Sequence, residues 1–364
     1  MTLSEILQSN GYETSFETCP GCENHCTVKR FTFRNGNSFF SGNQCEKVYG
    51  SATGEAKSGV NMYLEKNRML WNRRMTPVHQ PTGSTSRGKI QTIGIPRGLG
   101  IYEDFPFWCT LLTECGFKVV LSKSSTNKLY EQGIRSIVAD NICFPAKLVH
   151  GHVQNLLDKG VDRIFMPYVI FEKHDTGENS FNCPIVSGYS DVIRNTMRLS
   201  VPLDAPAISF KDKKALEKQC CAYLATLGVP PKTARKALQD ARKAQTEFET
   251  ALHRINHEVF EENDRAGKLM IVLAGRPYHA DPLVQHKISD MVSAMGVDVL
   301  TEDIVRGEAV TSEGLHFVSQ WAYPEHILKA ARWTARQGSH VQFVEMTSFG
   351  CGPDSFMLDE IHQF

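Results

Sequence analysis

The chain has 364 residues, 41% of them hydrophobic, and 40 basic side chains balance 40 acidic ones. Such a length supports two or three α/β units with their own cores, and zero net charge leaves no field to draw nucleic acid or an anionic membrane, so neither is expected as a partner. Eleven cysteines, an odd number in a long chain with no secretion signal, favour metal or redox chemistry over a disulfide framework.

The first residues show neither the basic nor the apolar part of a signal peptide, and no apolar run approaches the roughly 18 residues of a membrane span. A soluble, cytoplasmic protein is expected. The first distinctive segment is Cys19-Pro20-Gly21-Cys22-Glu23-Asn24-His25-Cys26, with Cys45 following in Gly42-Asn43-Gln44-Cys45. Between them residues 28–33 alternate apolar with polar, and Asn35-Gly36 signals a hairpin turn. A C-x2-C-x3-C run with a fourth cysteine across a hairpin lets four thiolates surround one metal, and Pro20 and Gly21 supply the tight turn. Residues 1–65 therefore read as a knuckle holding metal on Cys19, Cys22, Cys26 and Cys45, with zinc and an iron–sulfur cluster both open. His25 reads as an exposed side chain before it reads as a substitute ligand. Residues 66–90 turn basic and then rich in Pro, Gly, Ser and Thr, a linker signature.

From residue 91 strands alternate with helices. Strands are expected at 92–95, 118–121, 136–139, 163–166 and 205–210, and helices at 107–115 and 145–157, closed by Gly116 and Gly160. That alternation implies βαβ crossovers and a parallel sheet in a first α/β domain, residues 91–210. Cys109 and Cys115 fall in the first helix as core residues. The loop Pro96-Arg97-Gly98-Leu99-Gly100-Ile101-Tyr102-Glu103 opens like a dinucleotide fingerprint and then fails. Glu103 stands where the third glycine belongs, and the next strand ends in Leu121-Ser122-Lys123 with no acidic residue. Arg97 reads as an anion contact or a surface arginine.

Residues 211–265 form a helical connector of two solvated helices broken at Gly228-Val229-Pro230, with Cys220 and Cys221 as poor ligand candidates. A second α/β domain, residues 266–364, has strands at 268–275, 297–300 and 340–346, and helical patterns at 283–295 and 315–336.

Three further cysteines sit where strands give way to helices: Cys143 in Asp140-Asn141-Ile142-Cys143-Phe144-Pro145-Ala146-Lys147, Cys183 in Asn182-Cys183-Pro184, and Cys351 in Ser348-Phe349-Gly350-Cys351-Gly352-Pro353-Asp354. Ligands of open α/β sheets collect at the carboxyl ends of strands, so three thiols there can converge, and an iron–sulfur site is expected. Gly350 and Gly352 let backbone approach a bulky group, and Pro353 suits a helix's first turn. Arg276, Tyr278, His279 and Asp281, after the 268–275 strand, line the same cleft or else form a hydrogen-bonded turn.

These stretches, together with Ile95-Pro96-Arg97 and Leu273-Ala274-Gly275-Arg276-Pro277-Tyr278-His279, resemble the acyl-CoA dehydratase activase-related proteins, in particular the module that follows the activase domains in the long fused forms. That module is distantly similar to the cluster-binding subunits of 2-hydroxyacyl-CoA dehydratases and benzoyl-CoA reductases. The resemblance implies two Rossmann-like or flavodoxin-like parallel-sheet domains and a 4Fe-4S cluster on three thiolates that match Cys143, Cys183 and Cys351. It also implies low-potential electrons from an ATP-dependent activase domain or protein, with a second subunit or a homodimer. The chain has no G-x-x-x-x-G-K-[ST] and no acetate-kinase-like phosphate loop, so ATP hydrolysis is not expected of it. The expected function is an electron carrier or a reductase/dehydratase-like component at that cluster. A zinc-stapled scaffold or binding module without redox activity is the alternative.

Overall fold

A computed structural model describes residues 11–19, 25–42, 58–78, 90–172, 180–308, 310, 320–348 and 350–363. The fold is mixed α/β. At the N-terminus β1 (Tyr12–Thr18), β2 (Thr27–Phe33) and β3 (Ser38–Ser41) form an antiparallel meander. Its second hairpin turns at Asn35-Gly36 with Gly36 at φ 83, the left-handed conformation that an Asn-Gly turn requires. Helix α1 (Met62–Trp71) follows, its N-cap Asn61 accepting from the Tyr63 amide.

The first parallel sheet is built by β4 (Thr92–Ile95), α2 (Ile101–Glu114), β5 (Lys118–Leu121), α3 (Asn127–Gly133), α4 (Phe144–Asp158), β6 (Arg163–Phe165), β7 (Tyr168–Phe171), α5 (Pro184–Thr196), β8 (Leu203–Asp204) and β9 (Ala207–Ser209). Its order is β5-β4-β6-β8, and the parallel pair β7-β9 continues it beyond Met166-Pro167. After α6 (Lys213–Thr226) and α7 (Pro231–Asp264), a second parallel sheet forms from β10 (Met270–Ala274), α8 (Ile288–Ala294), β11 (Asp298–Thr301), α9 (Ala322–Ala335) and β12 (Val341–Glu345), ordered β11-β10-β12, with α10 (Gly352–Ile361) last. In both sheets the chain reverses its direction of travel at the first strand, β4 or β10. The loops leaving those strands therefore open onto the crevice where α/β sheets take ligands.

Several elements depart from the sequence expectations. Residues 136–139 are not a strand: Ile134–Ser136 is a 3-10 turn and Val138 is 76% exposed. The place beside β4 is taken by β6, so this β-branched run has no partner to pair with. The helix expected from 107 begins at Ile101 and runs through Pro106, because nearly every side chain of its first turns is buried. Residues 66–71 belong to α1 rather than to a linker. The long α7 is not solvated all round. Ala234, Ala237, Leu238, Ala241, Phe248 and Leu252 form a buried stripe, and Gln245 bonds the backbone of α2 at Glu103 and Phe107. The helix expected over 283–295 is confined to Ile288–Ala294, since His286 and Lys287 take left-handed φ values of 52 and 56.

A buried chain of charge joins these parts. Lys66, 1% exposed, donates to Glu302 at 2.8 Å and to Asp303 at 2.6 Å. Asp303 also accepts from Arg306 at 2.5 Å, and Arg306 reaches Glu103 of α2 at 2.7 Å. Burial alone pulls the Lys66 ammonium down, but Asp303 and Glu302 more than offset that and hold it above its ordinary range. Asp303, facing two cations, stays far below the usual carboxylate range against the pull of burial. Removing one partner of such a pair leaves an uncompensated charge, so Lys66→Ala is expected to lower stability by about 3–5 kcal/mol, read from the urea unfolding midpoint.

Candidate functional site

Each of the three cysteines expected at strand-to-helix junctions occupies a helix N-cap. Cys143 caps α4, Cys183 caps α5 and Cys351 caps α10, each with a proline at the first or second helical position. Cap residues take extended backbone, which Pro184 directly favours at Cys183, and the free amides of the first turn point toward them. None of the three makes a side-chain capping bond.

The structure brings these caps together from both sheets. Cys143 feels the thiol of Cys183 and the guanidinium of Arg276. Tyr278, in the 3-10 turn Pro277–Ala280 that leaves β10, lies in the field of Cys143, Cys351 and Arg276 alike. A side chain at Gly350, which has φ of 83, would stand 3.3 Å from the Asn141 carbonyl, so the Cys351 loop lies against the Cys143 loop. Arg276 donates to Cys351 Sγ at 3.5 Å and to Asp354 Oδ1 at 2.6 Å. Asp354 in turn accepts from the Ser348 amide at 3.1 Å. The turn is thus hydrogen-bonded and also delivers a cation to the thiols. His279 Nδ1 accepts from the Arg276 amide at 2.9 Å, leaving Nε2–H to donate to Ser348 Oγ at 3.0 Å. Asp281 faces the other way, accepting from Tyr102 at 2.6 Å and from Ser125, and so pins the β10 loop to the first sheet.

Burial pushes the Cys351 thiol up to about 11 against the opposing pull of Arg276. Burial likewise raises Cys143, with Arg276 again opposing. All three thiols are partly exposed. Among the described residues, the group of three metal-capable donors within 4.8 Å of one another is His253, His257 and Glu308.

The other sequence candidates are placed as follows. Cys19 and Cys26 adjoin across the first hairpin, with the Cys19 amide donating to the Cys26 carbonyl at 2.8 Å and both packed with Val28 and Phe40. Cys22 and Cys45, the other two cysteines of the expected knuckle, lie outside the described residues. His25 takes a left-handed φ of 42. Cys109 and Cys115 are core residues at 1% exposure, and Cys220 and Cys221 lie on α6. Arg97 stacks 4.4 Å above Trp71 and donates to Ser124 at 2.6 Å.

Two buried histidines of α4 were not singled out by sequence, although His150-Gly151-His152 on an apolar helix was the available signal. Ser136 donates to the Gly133 carbonyl and so accepts from His150 Nδ1–H at 2.7 Å, which leaves Nε2 to accept from Tyr189 at 2.9 Å. His152 is held between Ser122 and Ser125 at 2.9 and 3.0 Å.

The family described as the CoA enzyme activase uncharacterised domain matches residues 92–305, more than half of the chain. The chain belongs to that family. The match runs from β4 through the 3-10 turn Glu302–Val305 and takes in Cys143, Cys183 and Arg276, while Cys351 falls beyond it. No curated protein and no solved structure matches the chain. Among the described residues no helix is long and apolar enough to cross a membrane.

Two outcomes follow from these environments. The thiolate is the nucleophile, so at pH 8 Cys351 should alkylate with iodoacetamide on the order of 100-fold more slowly than an unperturbed thiol, read by peptide mass spectrometry. Burial holds His150 and His279 down at about 4 and His152 and His326 at about 3. These groups bind protons only when unfolded between those values and the ordinary histidine range, so their contribution is lost as pH falls from about 6.5 to 4. Glu172, raised by burial to about 8, acts oppositely, its neutral form favoured when folded, so its contribution fades as pH rises toward 8. Urea midpoints should therefore peak between pH 6 and 7, roughly where these windows meet.

Proposed function

We propose that the chain holds a 4Fe-4S cluster on the thiolates of Cys143, Cys183 and Cys351. In that role it serves as a low-potential electron carrier or a reductase/dehydratase-like component beside an ATP-dependent activase domain or protein. The observation that supports the proposal is that three helix-capping thiols are linked through their neighbours, Cys351 and Cys143 by the buried Arg276 and Cys183 by its field on Cys143. When bound, such a cluster supplies one-electron chemistry, with the iron that lacks a thiolate left open to another ligand.

The chain's own residues suit that group. Three thiolates are a concentrated negative charge, and the amides of three helix N-termini together with Arg276 are the positive charge that offsets it. Gly352 has nothing within 4 Å of where a side chain would stand, which leaves room at the α10 cap. Among the described residues the Tyr278 hydroxyl, in the field of Cys143 and Cys351, has no hydrogen-bond partner. It is a donor for a ligand at the site.

The finer architecture belongs to the same proposal: two Rossmann-like or flavodoxin-like domains, residues 91–210 and 266–364, with the site between their strand-order reversals. A second reading is favoured by the Cys19–Cys26 contact. There the N-terminal cysteines hold structural zinc, and the chain acts as a zinc-stapled scaffold or binding module without redox activity; in the redox reading the same cysteines hold zinc or a second iron–sulfur cluster.

Anaerobic purification separates the two. Iron and acid-labile sulfide, with an electron paramagnetic resonance signal after dithionite reduction, are expected in the wild type and should be lost in Cys143→Ser and Cys351→Ser. A wild type carrying only zinc, lost on Cys19→Ser and indifferent to Cys143→Ser, establishes the scaffold instead.

A further inference from the structure

Away from the thiols, α7 presents His253 and His257 one turn apart, so both imidazoles rise from the same helix face. Glu308, just beyond the 3-10 turn Glu302–Val305, meets them there. Its Oε1 lies 3.9 Å from His253 Nε2 and 3.4 Å from His257 Nε2, and the three donor atoms fall within 4.8 Å of one another. For a tetrahedral ion with metal–nitrogen and metal–oxygen bonds of about 2.0–2.1 Å, neighbouring donors stand about 3.4 Å apart. The His257–Glu308 spacing equals that distance, the His253–Glu308 spacing needs a small side-chain adjustment, and the two imidazole nitrogens lie within 4.8 Å of each other.

The rings are also oriented from behind. His253 Nδ1 lies 3.4 Å from the Asp303 carbonyl. Its proton therefore points to backbone and the Nε2 lone pair is turned toward Glu308, the arrangement that outer hydrogen bonds impose on metal-bound histidines. His257 packs edge-on to His253 with ring centroids 4.4 Å apart, and its Nε2 lies 2.9 Å from the Ile304 carbonyl. That nitrogen therefore carries a proton aimed at the carbonyl, and binding a metal through it requires His257 to move the proton to Nδ1 and turn its ring off Ile304 toward Glu308. The imidazoles are 28% and 25% exposed and Glu308 is 38% exposed, so an ion can enter from solvent.

We propose that His253, His257 and Glu308 form a binding site for a divalent first-row transition metal, zinc foremost, distinct from the thiol site. Two imidazoles and a carboxylate suit zinc, and three protein donors leave a fourth position for water or an incoming ligand. His253 also lines a cleft of about 260 Å³ walled by Glu103, Asp104, Glu172, Arg306 and Tyr323. A metal bound there would adjoin that cleft through His253, while His257 and Glu308 lie outside its lining.

The test counts bound zinc per chain by equilibrium dialysis of chelator-treated, full-length protein. It compares the wild type with a His253→Gln, His257→Gln double variant and with Glu308→Gln. Cysteines also bind zinc, so the readout is the difference between proteins. One equivalent is expected to disappear in the histidine variant and to weaken in Glu308→Gln, with circular dichroism unchanged. The wild-type minus variant spectrum with cobalt should lack thiolate-to-metal charge-transfer bands. Equal zinc binding in all three proteins, or thiolate bands in that difference, overturns the site. Should the double variant fail to fold, Glu308→Gln, an exposed position, decides alone: zinc binding equal to the wild type overturns the proposal.

Discussion

The buried chain of charge running from Lys66 through Glu302, Asp303 and Arg306 to Glu103 is the constraint on which the remaining geometry depends. Ions withdrawn from water are tolerated only when each meets its counter-charge in good geometry. A different docking of the second sheet on α2 would strand several of them at once. Asp281, bonded to Tyr102 and Ser125, repeats the lock closer to the thiols. Between these two anchors the loop leaving β10 has little freedom, and Arg276 is thereby delivered to Cys351.

The thiol caps themselves conflict with local preference. Serine, threonine, aspartate or asparagine at an N-cap stabilises a helix by about 1 kcal/mol, whereas here three helices begin on cysteines that make no capping bond. Proline at the first or second position compensates by presetting the turn. A sequence that forgoes the better cap three times, at three places that converge, gives up local stability for something the site requires.

Much of this was legible in the sequence because it rested on short-range rules. Asn35-Gly36 made its hairpin, Gly228-Val229-Pro230 broke the helices, and β4, β5, β10 and β12 fell close to where apolar runs bounded by turn residues placed them. The candidate thiols were legible as strand-end cysteines, although Cys143 reaches its cap from a 3-10 turn and a loop, not from a strand. What escaped was set by partners distant in sequence. Residues 136–139 have strand chemistry but no free edge to join, and the role of Lys66 depends on carboxylates more than two hundred residues away. His150 and His152 look like any helical histidines until Ser136, Tyr189, Ser122 and Ser125 are placed around them.

Cys351 lies 208 residues after Cys143 and 168 after Cys183, so the three capping thiols gather only when the second parallel sheet has formed and docked. Parallel pairing and long-range closure are slow steps in folding. During synthesis Cys143 and Cys183 therefore emerge well before Cys351 and stand as separate thiols until the second sheet is made. A group held by all three thiols would have to be loaded after that docking, and a chain cut before Cys351 would present two of the thiols without the third.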